Sequence, residues 1–551
     1  MSQKKTLILF LGLMMVFSLF LAACGQETET GTEPEENDEG SGEEAATGEP
    51  QTGGDLVWGQ TGSPTLFNPY YSEDTVSSAV ENLIYDSLLQ SDPNFEPEPR
   101  MAEDWNVSDD GLVYTFNLKE GITWHDGEPL TADDVVFSYS IPLHEDYDGP
   151  RASTFERIDK IEALDDHTVQ ITLSEPDAKF IWVGGYHILP EHILGDVPIA
   201  DIADHDFNTK KPIGTGPFVF EEWQDGQHVK MSANEDYYQG RPYLDTVTFK
   251  IVPDANNMLV QLQGGDVNYW SKIPEGDVRT VKKLEDQGQL KTSTTTSLSY
   301  TYLGYNLRNE LFQDPNVRKA MTHAINREEL VEVILDGQGE VAHAPSSPLS
   351  WAFNPDTIQY DFDPEKAKEL LAEAGWEPGE DGILEKDGKR FSFELKTNQG
   401  NKTREESAVV IQEYLSEVGI EVKTRVMEWS AFINDVQAPN WNFEAIILGW
   451  ALGTDPDPTG IWHSKEIENG LNFVAYENDE LDELMDEQIV EMDFETRQQM
   501  IWDIFGKIAE DQPYTFLFYP TETAAMPTNL HDHTHHPRNR EYNVHEWWLE
   551  Q

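Results

Sequence analysis

The chain has 551 residues, one cysteine, and 103 acidic against 37 basic side chains, a formal net charge of −66. So negative a surface repels nucleic acid and anionic membranes, and a lone cysteine cannot build an internal disulfide framework, so the core alone must hold the fold. Fifteen tryptophans are too many for a disordered acidic chain, and the length predicts more than one domain.

Lys4 and Lys5 precede an apolar run from Thr6 to Phe20, followed by Leu21-Ala22-Ala23-Cys24-Gly25. This is the layout of a bacterial secretion signal, a few residues short of a comfortable membrane span. The small residues before Cys24 resemble the lipobox of bacterial lipoproteins. That resemblance implies cleavage of residues 1–23 and a diacylglyceryl group on the Cys24 sulfur. Residues 24–52 are acidic, Gly-rich and without bulky apolar side chains, which predicts a flexible tether. No Lys or Arg occurs from Thr6 through Pro99. The charge suits an exposed protein in salty or alkaline surroundings.

The folded part is expected from about Asp55, with helix and strand patterns mixed. Asp74-Thr75 can cap a helix carrying Val76, Val80, Leu83, Ile84 and Leu88 on one face. Leu112, Tyr114, Phe116 and Leu118 alternate with Val113, Thr115, Asn117 and Lys119, which predicts a strand. Thr131-Ala132-Asp133-Asp134 has the form of a capping box. Val169, Ile171 and Leu173 alternate, as do Val247, Phe249 and Ile251. Three helical faces follow: one on Val317, Ala320, Met321, Ala324 and Ile325; one ending at Gly375; and one on Ala408, Ile411, Leu415 and Val418, ending at Gly419. Ile420, Val422, Thr424 and Val426 predict a strand, and the run Ala445 to Leu448 a strand buried on both faces.

Chemistry-bearing motifs are few. His531, His533, His535 and His536 cluster, but no cysteine and no helical pair supports a metal site there. Glu380 to Gly388 lacks the terminal glutamate of a calcium loop and reads as a hairpin with two Asp-Gly turns. No G-x-S-x-G, H-E-x-x-H or Walker loop is present. The chain is therefore read as not an enzyme, with no cofactor and no metal expected.

A set of collinear motifs carries a family resemblance over Gly53 to Gln551. They include Met101-Ala102-Glu103-Asp104-Trp105, Trp124-His125-Asp126-Gly127, Gly214-Thr215-Gly216-Pro217-Phe218, Arg241-Pro242-Tyr243-Leu244-Asp245, Val317-Arg318-Lys319-Ala320 and Gly449-Trp450. Together they resemble the family 5 extracellular solute-binding proteins of ABC importers. The run Lys396 to Lys402 and Glu546-Trp547-Trp548 point most closely to oligopeptide-binding lipoproteins of Gram-positive bacteria. The resemblance implies an α/β, bilobal, periplasmic-binding-protein-like fold with an extra inserted domain. Lobe I would hold residues 53–98, 210–305 and 511–551, the inserted small domain 99–209, and lobe II 306–510.

It further implies an oligopeptide ligand taken into the cleft between the lobes and handed to ABC permease subunits. The protein would be a monomer on the outer face of the cell membrane, attached through the lipid on Cys24. Trp429 and Trp450 match tryptophans that line the cleft in such receptors; a flat ring at a strand end accepts many side chains. The same receptors place an aspartate three residues beyond the second tryptophan to pair with the peptide amine. Here that position is Gly453, and the nearest acids are Asp455 and Asp457. Either one holds the amine, or both only shape an Asp-Pro turn. A receptor for an oligosaccharide, or for nickel with His125 or His187 as ligands, stays open on the same fold, as does a sensor of signalling peptides.

Overall fold

Local signals set where the elements begin. A computed structural model describes residues 49–551; the expected signal segment, Cys24 and almost all of the tether lie outside the described residues. Asp74 caps the helix Thr75–Ile84, its carboxylate accepting from the backbone N–H groups of Val76 (3.0 Å) and Ser77 (2.7 Å). Leu88, expected on the same face, is buried beyond the helix end. The Thr131 N–H donates to the Asp134 carboxylate over 2.9 Å at the start of the helix Ala132–Ser140. Gly214 and Gly216 allow the chain to pass the end of the first helix: a Cβ on Gly214 would lie 1.8 Å from the Ile84 carbonyl oxygen, and one on Gly216 2.7 Å from it. The Asp381-Gly382 and Asp387-Gly388 turns join three short strands, Glu377–Pro378, Leu384–Lys386 and Lys389–Arg390.

Three larger sheets organise the rest. The first has four strands in the order Asp55–Gln60, Thr246–Ile251, His228–Ala233, Phe218–Gln224. The second, antiparallel and also four-stranded, runs Ala102–Val107, Val113–Leu118, Thr168–Leu173, Ile158–Asp165, and lies within the expected inserted domain. The third is seven-stranded and contains the buried strand Ala445–Ala451 beside Ser299–Tyr305 and Ser392–Asn398. At its edge lies Glu421–Met427. Along it Val422 is buried and Val426 exposed.

The strand Tyr514–Met526 links two parts of the molecule. Its first half pairs with Ser299–Tyr305, and its second half, from Thr521, pairs with Lys291–Thr296. The apolar clusters divide at the same place. Ala524 and Met526 pack with Leu56, Trp58, Tyr114 and Phe116, whereas Leu517 and Phe518 pack with Leu303, Ile411 and Ile447. One cluster thus joins the first sheet to the inserted sheet, which makes those two a common body. The chain crosses between lobes beside Ser297 and Pro520, where the Ser297 N–H donates to the Pro520 carbonyl over 2.8 Å. By strand pairing, Ser299–Tyr305 and Tyr514–Tyr519 belong with the seven-stranded sheet.

Candidate functional site

Where the apolar clusters part, the chain leaves a cavity of about 1080 Å³. One wall is the helix Thr75–Ile84, through Ser78 and Asn82, with the C-terminal stretch Arg538 to Glu541. The opposite wall is Asn401 to Arg404 and the strand end Gly449 to Ala451. The crossing segments Ser297 to Thr301 and Pro520 to Glu522 close the back. A second cavity of about 390 Å³ shares Ser78, Asn82, Arg538 and Glu541 with the first and adds Asp86, Arg100, His187 and Thr454.

Trp450 lies on this wall. Its ring is half-buried, stacked toward Tyr302 at 6.3 Å and 14°, and 5.4 Å from Phe473; its Nε1–H donates to the Tyr514 hydroxyl over 3.4 Å. Tyr302 stacks in turn on Tyr514 at 3.8 Å. An aromatic column thus holds the indole while leaving part of it open to the cavity. Trp429 is placed elsewhere. It is the first residue of the helix Trp429–Val436, is 49% exposed, and is absent from the cavity wall. The Glu428 carboxylate starts that helix by accepting from the Ala431 N–H over 3.0 Å, and this turns the chain before Trp429 can reach the cleft.

Asp455 and Asp457 also stand off the cavity wall. Both Asp455 oxygens accept from Arg497, at 2.6 and 2.7 Å, with both side chains buried. Asp457 accepts from Lys179 (2.8 Å), Gln488 (2.8 Å) and the Thr459 hydroxyl (2.6 Å). Burial pushes the Asp457 carboxyl up, but the Lys179 ammonium and the other donors outweigh it and hold it below the ordinary carboxylate range. The expected role of these two aspartates on a ligand amine thus meets carboxylates already engaged by protein cations.

The cavity's charged groups were not singled out by sequence reasoning. Glu522, buried on the crossing strand, accepts from Lys272 (2.6 Å), Ser297 (3.1 Å) and Arg540 (2.9 Å). Burial raises its carboxyl, and the two cations more than reverse this. Glu541 is buried and accepts from the Asn82 amide over 3.0 Å; burial pushes it up to about 7. Arg404 donates to Asn398 over 2.9 Å and has no carboxylate partner among the described residues. Only its place two residues beyond the run Lys396 to Lys402 could have pointed to it. The front of the cavity is bridged where the Thr403 hydroxyl donates to Glu275. Farther along, the Ala178 N–H donates to the Ile489 carbonyl over 2.8 Å beside the Lys179–Asp457 pair.

The C-terminal histidines have separate partners, although the His533 and His535 rings lie 6.0 Å apart. His533 meets the Tyr269 hydroxyl (2.9 Å), His535 the Ser293 carbonyl (3.0 Å), His536 the Asp92 carbonyl (2.9 Å), and His531 stacks on Trp548. No three His, Cys, Asp or Glu side chains among the described residues are placed to hold a metal ion. His125 donates through Nε2–H to the Gly216 carbonyl and accepts at Nδ1 from the Gly214 N–H, and burial pushes it down to about 4. His187 lines the smaller cavity, and burial pushes it down to about 3.

Comparison with known proteins places this architecture. The family model for "Bacterial extracellular solute-binding proteins, family 5 Middle" matches residues 96–470. The oligopeptide-binding protein AppA of Bacillus subtilis (strain 168) is 47% identical over 554 residues, covering 100% of both chains. Heme-binding protein A of Haemophilus influenzae is 30% identical over 502 residues, 86% of each chain. The structure of Bacillus subtilis AppA in complex with a nonapeptide matches at a TM-score of 0.72 and 49% identity, over 91% of this chain and 100% of that one. The substrate-binding protein CtaP of Listeria monocytogenes matches at 0.81 and 28%, over 91% and 100%. The fold is thus the mixed α/β, bilobal solute-binding architecture that the motifs implied, and the chain belongs to the bacterial extracellular solute-binding proteins, family 5.

Proposed function

We propose that this protein captures oligopeptides outside the cell, in the cleft between its lobes, and delivers them to an ABC permease. The observation that carries the reading is the cavity itself. At about 1080 Å³ it exceeds the usual 300–1,000 Å³ of small-molecule sites. It is built from hydroxyls, amides, charged groups and one tryptophan face, a mixture that accepts an extended backbone with varied side chains. The 47% identity to an oligopeptide-binding protein along the whole chain supports the same ligand class.

The mechanism is selection between open and closed lobes. Ligand favours the closed form because only that form contacts it from both sides. The walls are carried by two bodies with separate cores, so they can part at the crossing strands without disrupting either core. Binding needs no reacting group, and the protein acts as a monomeric receptor rather than an enzyme. Its place would be the outer face of the membrane, tethered by the lipid on Cys24.

Mass spectrometry of ligands that co-purify with the secreted protein tests the reading. Peptides of several residues are the expected finding; a saccharide, haem or nickel chelate in their place would overturn it. Cys24→Ser should release the protein into the medium, and retention of that variant on washed membranes would overturn the anchor.

A further inference from the structure

The cavity's charge differs from that of the whole chain. Across the protein, acids outnumber bases by 103 to 37. Around the larger cavity, bases outnumber acids five to four. Two of those acids are poorly placed to offer negative charge. Glu522 is already shared by Lys272 and Arg540, and Glu541 is buried and held toward its neutral form.

Two guanidinium groups on its walls make no ion-pair contact, Glu275 acting on Arg404 and Glu522 on Arg538 only from farther off. Arg404 sits in the first turn of the helix Lys402–Glu417, where the helix dipole opposes a cation. It is only partly exposed, its Nε is buried without a partner, and its sole side-chain acceptor is the neutral Asn398 amide. Gly449 makes room for it: a Cβ there would lie 3.0 Å from Arg404 Nη2. Arg538 lines both cavities from the opposite wall. No carboxylate among the described residues lies within ion-pair distance of either. Arg538 is exposed to the cleft, whereas Arg404 is partly desolvated, which is costly for a cation with no ion-pair contact; a carboxylate is the partner that matches a guanidinium fork.

We infer that the cleft selects ligands bearing carboxylates, which Arg404 receives from the second lobe and Arg538 from the C-terminal segment. This rests on the peptide-receptor reading above. The carboxylate can come from an acidic side chain or from the peptide's C-terminus, and the chemistry at the guanidinium is the same. Because the two arginines stand on opposite walls, an anionic ligand also draws the lobes together. A chain of charge −66 would otherwise repel such ligands, so a local cationic lining is what permits their capture.

Calorimetry on the full chain tests this with nine-residue Ala/Ser peptides carrying two Glu or two Gln, each with a free or an amidated C-terminus. Wild type should bind at least one charged form about tenfold tighter than the neutral form, a difference of about 1.4 kcal/mol. In Arg404→Gln and Arg538→Gln that advantage should shrink to about threefold or less, with partial recovery in Arg404→Lys and Arg538→Lys. A loss on amidation alone assigns the C-terminus; a loss on Glu-to-Gln exchange alone assigns side chains. Equal binding of all four peptides by wild type overturns this inference and leaves the receptor reading intact, whereas no binding by any of them overturns both. Should the variants fail to fold, wild type is titrated in rising NaCl. The charged-peptide advantage must then fall with salt, and a constant advantage overturns the assignment.

Discussion

Lys179 and Asp457 meet at the edge of the cleft, ammonium to carboxylate, 2.8 Å apart across 278 residues of sequence. Lys179 precedes Phe180 of the apolar cluster shared by the two four-stranded sheets, and Asp457 belongs to the loop that leaves the Trp450 wall, so their pairing ties the two bodies together. Gln488 extends the link, donating to Asp457 and accepting from Arg497, which holds Asp455.

Lys179→Met should therefore loosen closure. Lys179 is more than a third exposed, so screening limits the direct loss, and ligand affinity should fall only about two- to fivefold. Small-angle scattering of the liganded protein should show a larger radius of gyration than wild type. An unchanged radius and affinity would remove the pair from the closing movement.

Asp455→Asn separates structure from ligand binding. It leaves Arg497 buried with no carboxylate, a change that typically costs about 3–5 kcal/mol, so the melting temperature should drop by several degrees. Affinity for free and N-acetylated peptides, measured below the transition, should stay as in wild type. A selective loss of free-amine binding at unchanged stability would instead put Asp455 on the ligand.

Trp450→Ala should weaken peptide binding by about 1–3 kcal/mol, in the range of a well-packed interface aromatic, and remove most of the ligand-induced fluorescence change. Trp429→Ala should leave both as they are, because its ring faces solvent. The opposite pattern would move the aromatic wall to the helix Trp429–Val436.

Glu81 predicts a pH response. It lies buried on the helix Thr75–Ile84 with one oxygen accepting from Ser72 (3.0 Å) and the other unpartnered, and burial pushes its carboxyl up to about 8 from an ordinary 4.5. Glu541 is pushed up to about 7 by burial as well. The folded chain binds more protons than the unfolded one between those values, so stability is present at low pH and declines as pH rises toward 8. The buried His125 and His187, pushed down to about 4 and 3, have the opposite slope, which ends near pH 6.5. The decline should thus be clean between pH 6.5 and 8.5, and Glu81→Gln should flatten it. A melting temperature that rises over this range in wild type would contradict the assignment.

Much of the fold was legible because its signals are local. Asp74, Thr131 with Asp134, and the Gly375 and Gly419 stops mark helix ends, and alternation at Tyr114, Phe116 and Val247 marks strands. The lobe boundaries were less legible, since a strand shared between two sheets has the same alternation throughout its length. Of the expected site residues, Trp450 lies on the cavity wall. Trp450 ends a continuous apolar run and can face only a limited set of neighbours. The engagement of Asp455 by Arg497, 42 positions away, and the lack of an ion-pair contact at Arg404 and Arg538 are properties of three-dimensional surroundings that spacing does not encode.

Ser297 and Pro520 have a consequence for motion. Ser297 lies in the link between the strands Lys291–Thr296 and Ser299–Tyr305, and its hydrogen bond to Pro520 holds that link beside the strand Tyr514–Met526. The freedom that remains is a swing about one line, as for a lid on a hinge pin. Proline, lacking an N–H, weakens the ladder at that line. On the proposed reading, opening about that line would part the far rim at Thr403 and Glu275 most, and a long chain would be laid in sideways instead of being threaded end first. Any partner that touches both halves reads occupancy as a single angle.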